Sequence, residues 1–306
     1  MLIVFCIATV TVIASSVPPR TFPHNVIVRV NKDMTVSAVA TILEQKGLIR
    51  SPYLFKIYSL FLREGKGVQT GSYLFNEPQS VLRIAHRMSY GIKNIEKIKL
   101  TIFEGTNTKE MAALLKKSIP NFDAAAFLTL ARPHEGYLFP ETYFVEPDVE
   151  AADIVAMMRK QFDLAIKPLE AAVATSTHSL KDILTMASII EKEANDPVDR
   201  RMISGILWKR MEKGMALQVD VPFYYFLNKT STQITFKDLA TTSPYNTYLN
   251  KGLPPTPITN PGLDAIKAAL YPTSSPYYFY LADRSGVTHY ATNHDGHIIN
   301  RGKYLQ

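Results

Sequence analysis

Strand-like apolar patterns open two similar stretches in the first third of the chain, Val26-Ile27-Val28-Arg29-Val30 and Ile98-Lys99-Leu100-Thr101-Ile102. A period of two sends successive side chains to opposite faces, so each stretch reads as a strand. Each continues through a turn into apolar residues at i, i+3 and i+4 spacing, which predicts a short helix. The two copies align at an offset of 72 residues, so that Val39-Ala40-Thr41-Ile42-Leu43 faces Met111-Ala112-Ala113-Leu114-Leu115. Thr35 and Thr106 stand before the helices as N-caps. The expectation is a pair of small strand–turn–helix modules. Between them the pattern predicts a helix near 53–63, a strand over 71–75 and a helix over 81–88, which Gly91 ends.

From residue 121 the texture becomes helical, with predicted helices over 122–131, 151–166, 181–194 and 198–213, the last stopped by Gly214. Residues 236–262 are rich in Pro, Tyr, Asn, Thr and Gly and read as a long ordered loop, a kind of segment that often carries function. A helix over 262–270 and a hairpin of strands at 277–282 and 288–292, turned at Gly286, complete the pattern. The class is α+β. The expected divisions are an N-terminal membrane segment over 1–20, α+β modules over 21–120 and a mostly helical domain with a C-terminal β-hairpin over 121–306.

Residues 1–17 carry no charged side chain and are followed by Pro18-Pro19-Arg20. That length sits at the lower end of the roughly 17–25 residues that span a bilayer. We expect an uncleaved anchor; a signal peptide cut near Ala14-Ser15-Ser16 is the competing reading, and the absence of a basic n-region weakens both. The remaining composition, 46% hydrophobic and 20% charged, is that of a globular protein. A net charge of +7 with scattered Lys and Arg suits the vicinity of an anionic polymer or lipid. No helix-turn-helix, zinc-finger or ribonucleoprotein signature is present, so nucleic acid is not an expected partner. The single thiol, Cys6, allows no intramolecular disulfide and no cysteine metal site.

The strongest chemical signal is the apolar run Ile183–Ile190, which ends in Glu191-Lys192-Glu193. A carboxylate beside apolar surface loses hydration, its charged form is disfavoured, and it becomes able to donate a proton near neutral pH. At 100° per residue Glu191 and Glu193 each lie roughly 80° from the centre of the apolar face, on opposite sides, with Lys192 pointing outward between them. Helical geometry leaves both open as the acid.

Five segments, taken in order, resemble one family. They are Glu104-Gly105; His134-Glu135-Gly136-Tyr137-Leu138-Phe139-Pro140-Glu141-Thr142-Tyr143; Ala187-Ser188-Ile189-Ile190-Glu191-Lys192-Glu193; Gly214-Met215-Ala216-Leu217-Gln218-Val219-Asp220; and Ser243-Pro244-Tyr245-Asn246-Thr247-Tyr248 continuing to Gly252-Leu253-Pro254-Pro255 and Asn260-Pro261-Gly262. Over about residues 25–303 the chain is similar to the MltG (YceG-like) endolytic murein transglycosylases. The resemblance implies a single-pass protein of the bacterial inner membrane with its catalytic part outside the cytoplasm, and LysM-like strand–helix modules ahead of the catalytic domain. It implies lytic cleavage of the β-1,4 bond between N-acetylmuramic acid and N-acetylglucosamine, leaving 1,6-anhydro ends without cofactor or metal. Peptidoglycan strands are the implied partner, with peptidoglycan synthases as candidate companions. The family's catalytic glutamate falls on Glu191.

Several other residues are candidates to bind the substrate or support the acid. Glu193 reads as a supporting or salt-bridge residue. Gln218 and Asp220 match the family's Leu-Gln-x-Asp; they either meet sugar hydroxyls or, for Asp220, cap the next helix. Ser243, Tyr245, Asn246, Thr247 and Tyr248 offer short hydrogen-bonding groups and aromatic faces, set against a loop that holds itself together. Glu135 and Glu141 flank a Gly-Tyr-Leu-Phe-Pro turn as groove or wall residues, and Tyr137 and Tyr143 either stack on sugars or pack in the core. His297 is expected to form a structural or substrate hydrogen bond, since His294 and His297 lack the further ligands a metal needs. Lys209, Val219, Val221 and Ile298 depart from the family pattern and put the hydrogen-bond network around the acid in doubt.

Overall fold

The computed structural model describes residues 16–62, 67–229 and 231–305. It divides into two compact units, one comprising the chain through Ile98 together with Val145–Asp148, the other Lys99–Phe144 together with Val149 onward.

In the first unit, β1 (Val26–Val30) leads into α1 (Val36–Gln45), α2 (Pro52–Phe61) and β2 (Gly71–Phe75), and α3 (Val81–Tyr90) follows. β1 and β2 are antiparallel, with Val26 opposite Phe75 and Val30 opposite Gly71. Thr35 caps α1 as expected, its side chain accepting from the Ala38 N–H, and Ser51 does the same for α2. The order β-α-α-β encloses a core of Val28, Val30, Leu43, Phe55, Tyr73, Phe75 and Met88. Gly91 closes α3 in the left-handed region at φ 72°, where a side chain is unfavourable.

The second unit begins with the other strand–helix copy, β3 (Ile98–Thr101) and α4 (Thr108–Ser118). β3 pairs with β4 (Thr142–Val145). The cap of α4 is Asn107, in a reciprocal capping box with Glu110, and not Thr106. Thr106 instead turns its hydroxyl to the Phe103 carbonyl. The first strand–helix copy lies in the first unit, and the second copy lies in the second unit from Lys99 on.

The helices α5 (Ala124–Ala131), α6 (Ala151–Ile166), α7 (Glu170–Thr175), α8 (Leu180–Glu193), α9 (Pro197–Glu212), α10 (Val221–Leu227), α11 (Phe236–Leu239) and α12 (Leu263–Leu270) follow. The hairpin of β5 (Phe279–Ala282) and β6 (Thr288–Ala291) precedes α13 (His294–Tyr304). Helix α8 is the centre of this unit: Ile183, Leu184, Met186, Ala187, Ile189 and Ile190 are all fully buried. It packs against α12 and α9. Trp208 on α9 donates its indole N–H to the Ala269 carbonyl of α12, tying those two helices together.

The α+β class agrees with expectation. The expected anchor over 1–20 lies mostly outside the described residues, and no helix among the described residues is long and apolar enough to cross a membrane.

Candidate active site

Ser179 caps the start of α8, accepting from the Asp182 N–H. The far end of the helix carries the two glutamates, and the polar interior of α8 decides what surrounds one of them. The buried Ser188 accepts from the Ile258 N–H at 3.1 Å, and its carbonyl accepts from the Thr259 hydroxyl at 3.1 Å. These bonds lay the chain before α12 along α8 and bring the Gly262 N–H to 2.8 Å from Oε2 of Glu191. Oε1 of Glu191 accepts from Arg200 at 2.7 Å, and both side chains of this ion pair are almost fully buried. Arg200 is itself fixed to the Ala194 carbonyl. Burial pushes the Glu191 carboxyl above its ordinary range, and Glu104 adds to the rise, while the Gly262 N–H, Arg200 and Lys192 pull it back. Each carboxylate oxygen therefore already has a strong partner.

Glu193, on the other side of the helix end, is differently placed. Its Oε2 accepts from the Tyr280 hydroxyl of β5 at 2.9 Å, and Oε1 makes no hydrogen bond among the described residues. Dense surrounding protein raises its carboxyl to about 7, with the nearby Asp220 charge pushing the same way and the Tyr280 hydrogen bond opposing. Glu193 lines a cavity of about 700 Å³ together with Arg210, Gln218, Asp220, Tyr248, Tyr280 and His297. This is a size that accommodates a small organic ligand or a few sugar rings.

The walls come from separate parts of the sequence. Arg210 on α9 is buried and reaches the carbonyls of Ala216 and Tyr278 and, at 2.6 Å, Oε1 of Gln218. Gln218 takes a left-handed backbone conformation (φ 52°), uncommon for a residue with a side chain. Its N–H is held by the Thr247 carbonyl. Asp220 stands at the N-cap position of α10 but makes no side-chain cap; its Oδ1 instead accepts from the Tyr248 hydroxyl at 2.6 Å. His297 lies flat against Phe279, with ring centroids 5.4 Å apart. Burial lowers its pKa, with Arg301, His294 and Arg210 adding to the effect, so it favours the neutral ring. Its Nδ1 is buried and has no hydrogen-bond partner among the described residues.

Other candidates fall away from this cavity. Asn246 is fully buried and donates to the Leu239 and Thr241 carbonyls while accepting from the Tyr248 N–H. Thr247 bonds both the N–H and the carbonyl of Val219. Ser243 accepts from the Tyr245 N–H, and Tyr245 bonds Thr256 and packs on Tyr225. Of this loop's five candidates, only Tyr248 lines the cavity. Glu135 is buried under α4, accepting from the N–H and hydroxyl of Thr108 and from Asn260; burial raises it to about 7. Tyr137 packs on Phe162 beneath Arg159, and Tyr143 is buried. Glu141 lines a different cavity, beside Glu191. Among the departures from the family pattern, Lys209 reaches the Ser275 carbonyl and lies over Tyr278, Val219 joins the core, Val221 lines the Glu193 cavity, and Ile298 is exposed.

Sequence reasoning did not anticipate Tyr280, Arg200 or the role of Arg210. Their partners lie 87, 9 and 8 residues away, respectively, and no local pattern marks the longest of these links. Among the described residues no cluster of His, Cys, Asp and Glu has the makings of a metal site.

The profile of the YceG-like family matches residues 28–303. A Bacillus subtilis protein named endolytic murein transglycosylase is 31% identical over 298 residues, covering 89% of this chain and 82% of the relative. A Streptococcus pneumoniae protein of the same name is 31% identical over 197 residues, 62% of this chain and 35% of its own longer sequence. The crystal structure of a YceG-like protein from Listeria monocytogenes superposes with a TM-score of 0.62 at 31% identity, covering 90% of this chain and 99% of that one.

Proposed function

Because this chain belongs to the YceG-like family, we propose that it is an endolytic murein transglycosylase in which Glu193, rather than Glu191, is the general acid and base. The observation that carries the choice is the position of Glu193 in the 700 Å³ cavity, with one oxygen held by Tyr280 and a carboxyl raised to about 7. An acid with a pKa near the working pH is both available as a donor and able to take the proton back. Glu191, bound at both oxygens by Arg200 and Gly262, serves the framework.

The reaction needs one carboxyl, in contrast to hydrolases that use two. The Glu193 proton passes to the glycosidic oxygen as the bond from the muramyl C1 to that oxygen breaks, releasing the 4-hydroxyl of N-acetylglucosamine. The acetamido oxygen of the muramyl unit shares the positive charge at C1. The muramyl 6-hydroxyl then bonds to C1 and its proton passes to the Glu193 carboxylate. The products are a 1,6-anhydro-muramyl end and a regenerated acid; water is not consumed. Asp220, tied to Tyr248, lies close enough for its charge to add to the rise of the Glu193 carboxyl and favour the protonated acid.

The β-α-α-β order of the first unit supports reading it as a LysM-like module that holds glycan. The apolar segment over 1–17 supports attachment to the bacterial inner membrane, with the catalytic unit on the extracytoplasmic side. Peptidoglycan synthases as companions rest on the resemblance alone. A second reading, hydrolysis by Glu193 with Asp220 as base, draws on their place in one cavity. Mass spectrometry of digested glycan strands separates the two: 1,6-anhydro ends are expected, and reducing ends in their place would establish hydrolysis.

A further inference from the structure

A second cavity of about 600 Å³ opens on the Glu191 side of the helix end, lined by Thr101, Phe103, Glu104, Glu141, Thr142 and Asn195 along with Glu191, Lys192 and Arg200. Lys192 is the one residue that lines both this cavity and the Glu193 cleft. Both spaces thus lie beside the C-terminal end of α8.

The second cavity brings an aromatic ring together with carboxylate, amide and hydroxyl groups. Phe103 is 72% exposed and presents a flat aromatic face at this cavity. Glu104, Glu141 and Asn195 offer exposed acceptors and donors around it. The hydroxyls of Thr101 and Thr142 meet each other at 3.1 Å on its wall. Neither Glu104 nor Lys192 has an ion-pair or hydrogen-bond partner among the described residues, and both are crowded into place by bare backbone. A Cβ at Gly262 would stand 1.9 Å from the Glu104 carboxylate, and one at Gly105, which has φ +73°, would stand 2.8 Å from the Lys192 stem. Two glycines thus make room for two charged side chains that are unpaired among the described residues.

We propose that this cavity is the second half of the glycan groove. It holds the amino-sugar units on one side of the bond that Glu193 cleaves, with a sugar ring stacked on Phe103 and its hydroxyl and acetamido groups bonded to Glu104, Glu141 and Asn195. The strand crosses the end of α8 over Lys192, whose ammonium meets the carboxylate borne by a muramyl unit. The assignment rests on the reading of Glu193 as the acid, and it accounts for an enzyme that cuts within strands: both flanks of the bond are gripped, so a strand that fills only one flank is a poor substrate.

The test is the dependence of cleavage on strand length, measured with the full chain on purified glycan strands of graded length for the parent and Phe103→Ala. Phe103 is exposed, so its truncation leaves the fold intact. For the parent, kcat/KM is expected to climb with length. In Phe103→Ala the advantage of long over short strands is expected to fall about three- to tenfold, the value of one aromatic stacking contact. In parallel, affinities for the same strands are measured by calorimetry in the Glu193→Gln background with and without Phe103→Ala, where the same loss on long strands is expected. Equal length dependence with and without Phe103, in both rate and affinity, would overturn the proposal. A Glu193→Gln protein that still cleaves would overturn the acid instead, and the length dependence of Phe103→Ala would still read the groove.

Discussion

Glu191 and Glu193 stand two residues apart on one helix and meet opposite fates. Glu191 is closed in: Arg200 holds one oxygen at 2.7 Å and the Gly262 N–H, at the start of α12, holds the other at 2.8 Å. Glu193 accepts a hydrogen bond from a single phenol among the described residues and lines a large cavity. Burial raises both carboxyls, so burial alone does not distinguish an acid from a structural residue. The distinction lies in what is left unbonded. On the proposed assignment, the carboxyl with both oxygens engaged by cation and backbone serves the fold, and the one with an oxygen left unbonded among the described residues serves the substrate.

The largest expected break in this contrast is to stability. Glu191→Ala leaves Arg200 buried without its counter-charge and frees the Gly262 N–H. It is expected to cost about 3–5 kcal/mol, read from urea or thermal unfolding. Glu193→Ala, which removes one neutral-capable side chain from a cavity wall, is expected to cost far less in the same assay; equal losses would erase the proposed difference.

Next in size is the loop behind Tyr248. Asn246→Ala strips partners from the Leu239 and Thr241 carbonyls and from the Tyr248 N–H. A loss of about 1–3 kcal/mol is expected. Because Asn246 does not line the cavity, the residual folded protein should keep its KM; a rise in KM without loss of stability would return Asn246 to the site.

A smaller effect is expected at Tyr280. Its hydrogen bond favours the charged form of Glu193, so Tyr280→Phe raises that carboxyl further. For the parent, kcat is expected to fall as pH rises through about 7, where the proposed acid loses its proton. For Tyr280→Phe the falling limb moves to higher pH, and kcat at its plateau drops about tenfold or less. An unmoved limb would remove Glu193 from the titration that controls the rate.

A further expected effect is the pH dependence of unfolding. The Glu193 carboxyl is raised from an ordinary 4.5 to about 7, so between these values the folded state binds more protons than the unfolded one. Stability contributed by this group is therefore present at low pH and lost as pH rises from about 4.5 through 7. Against Glu193→Gln, which cannot titrate, the parent should lose stability over that interval, as followed by the thermal midpoint; parallel curves would contradict the raised carboxyl. Glu135, also raised to about 7, contributes the same trend to both proteins and cancels in the comparison.

Much of the frame could be read from local pattern. The apolar run through Ile190 forms the buried helix it predicts, and Gly91 and Thr35 end and begin their helices as expected. Thr106 fails as a cap because Asn107, one residue on, has the shorter reach to two N–H groups and a reciprocal Glu110. The pair of glutamates was legible as candidate chemistry, but a helix places them symmetrically about its buried face, and the resemblance pointed to Glu191. What separates them arrives from distant chain: Tyr280 from the hairpin, Arg200 and Arg210 from α9, Gly262 from the start of α12. The loop around Ser243, Asn246 and Thr247 was legible as ordered and polar. Its polar groups turn inward because a buried loop must satisfy its own carbonyls and N–H groups.

The measurement that bears most directly on this account is the analysis of glycan ends after digestion of nascent peptidoglycan by the parent, Glu193→Gln and Glu191→Gln, each normalised to folded protein. The account predicts 1,6-anhydro ends from the parent, a loss of about 10²–10⁴-fold in their formation with Glu193→Gln, and retained cleavage with Glu191→Gln. A Glu193→Gln protein that cleaves like the parent, beside a folded Glu191→Gln protein that does not, would contradict it.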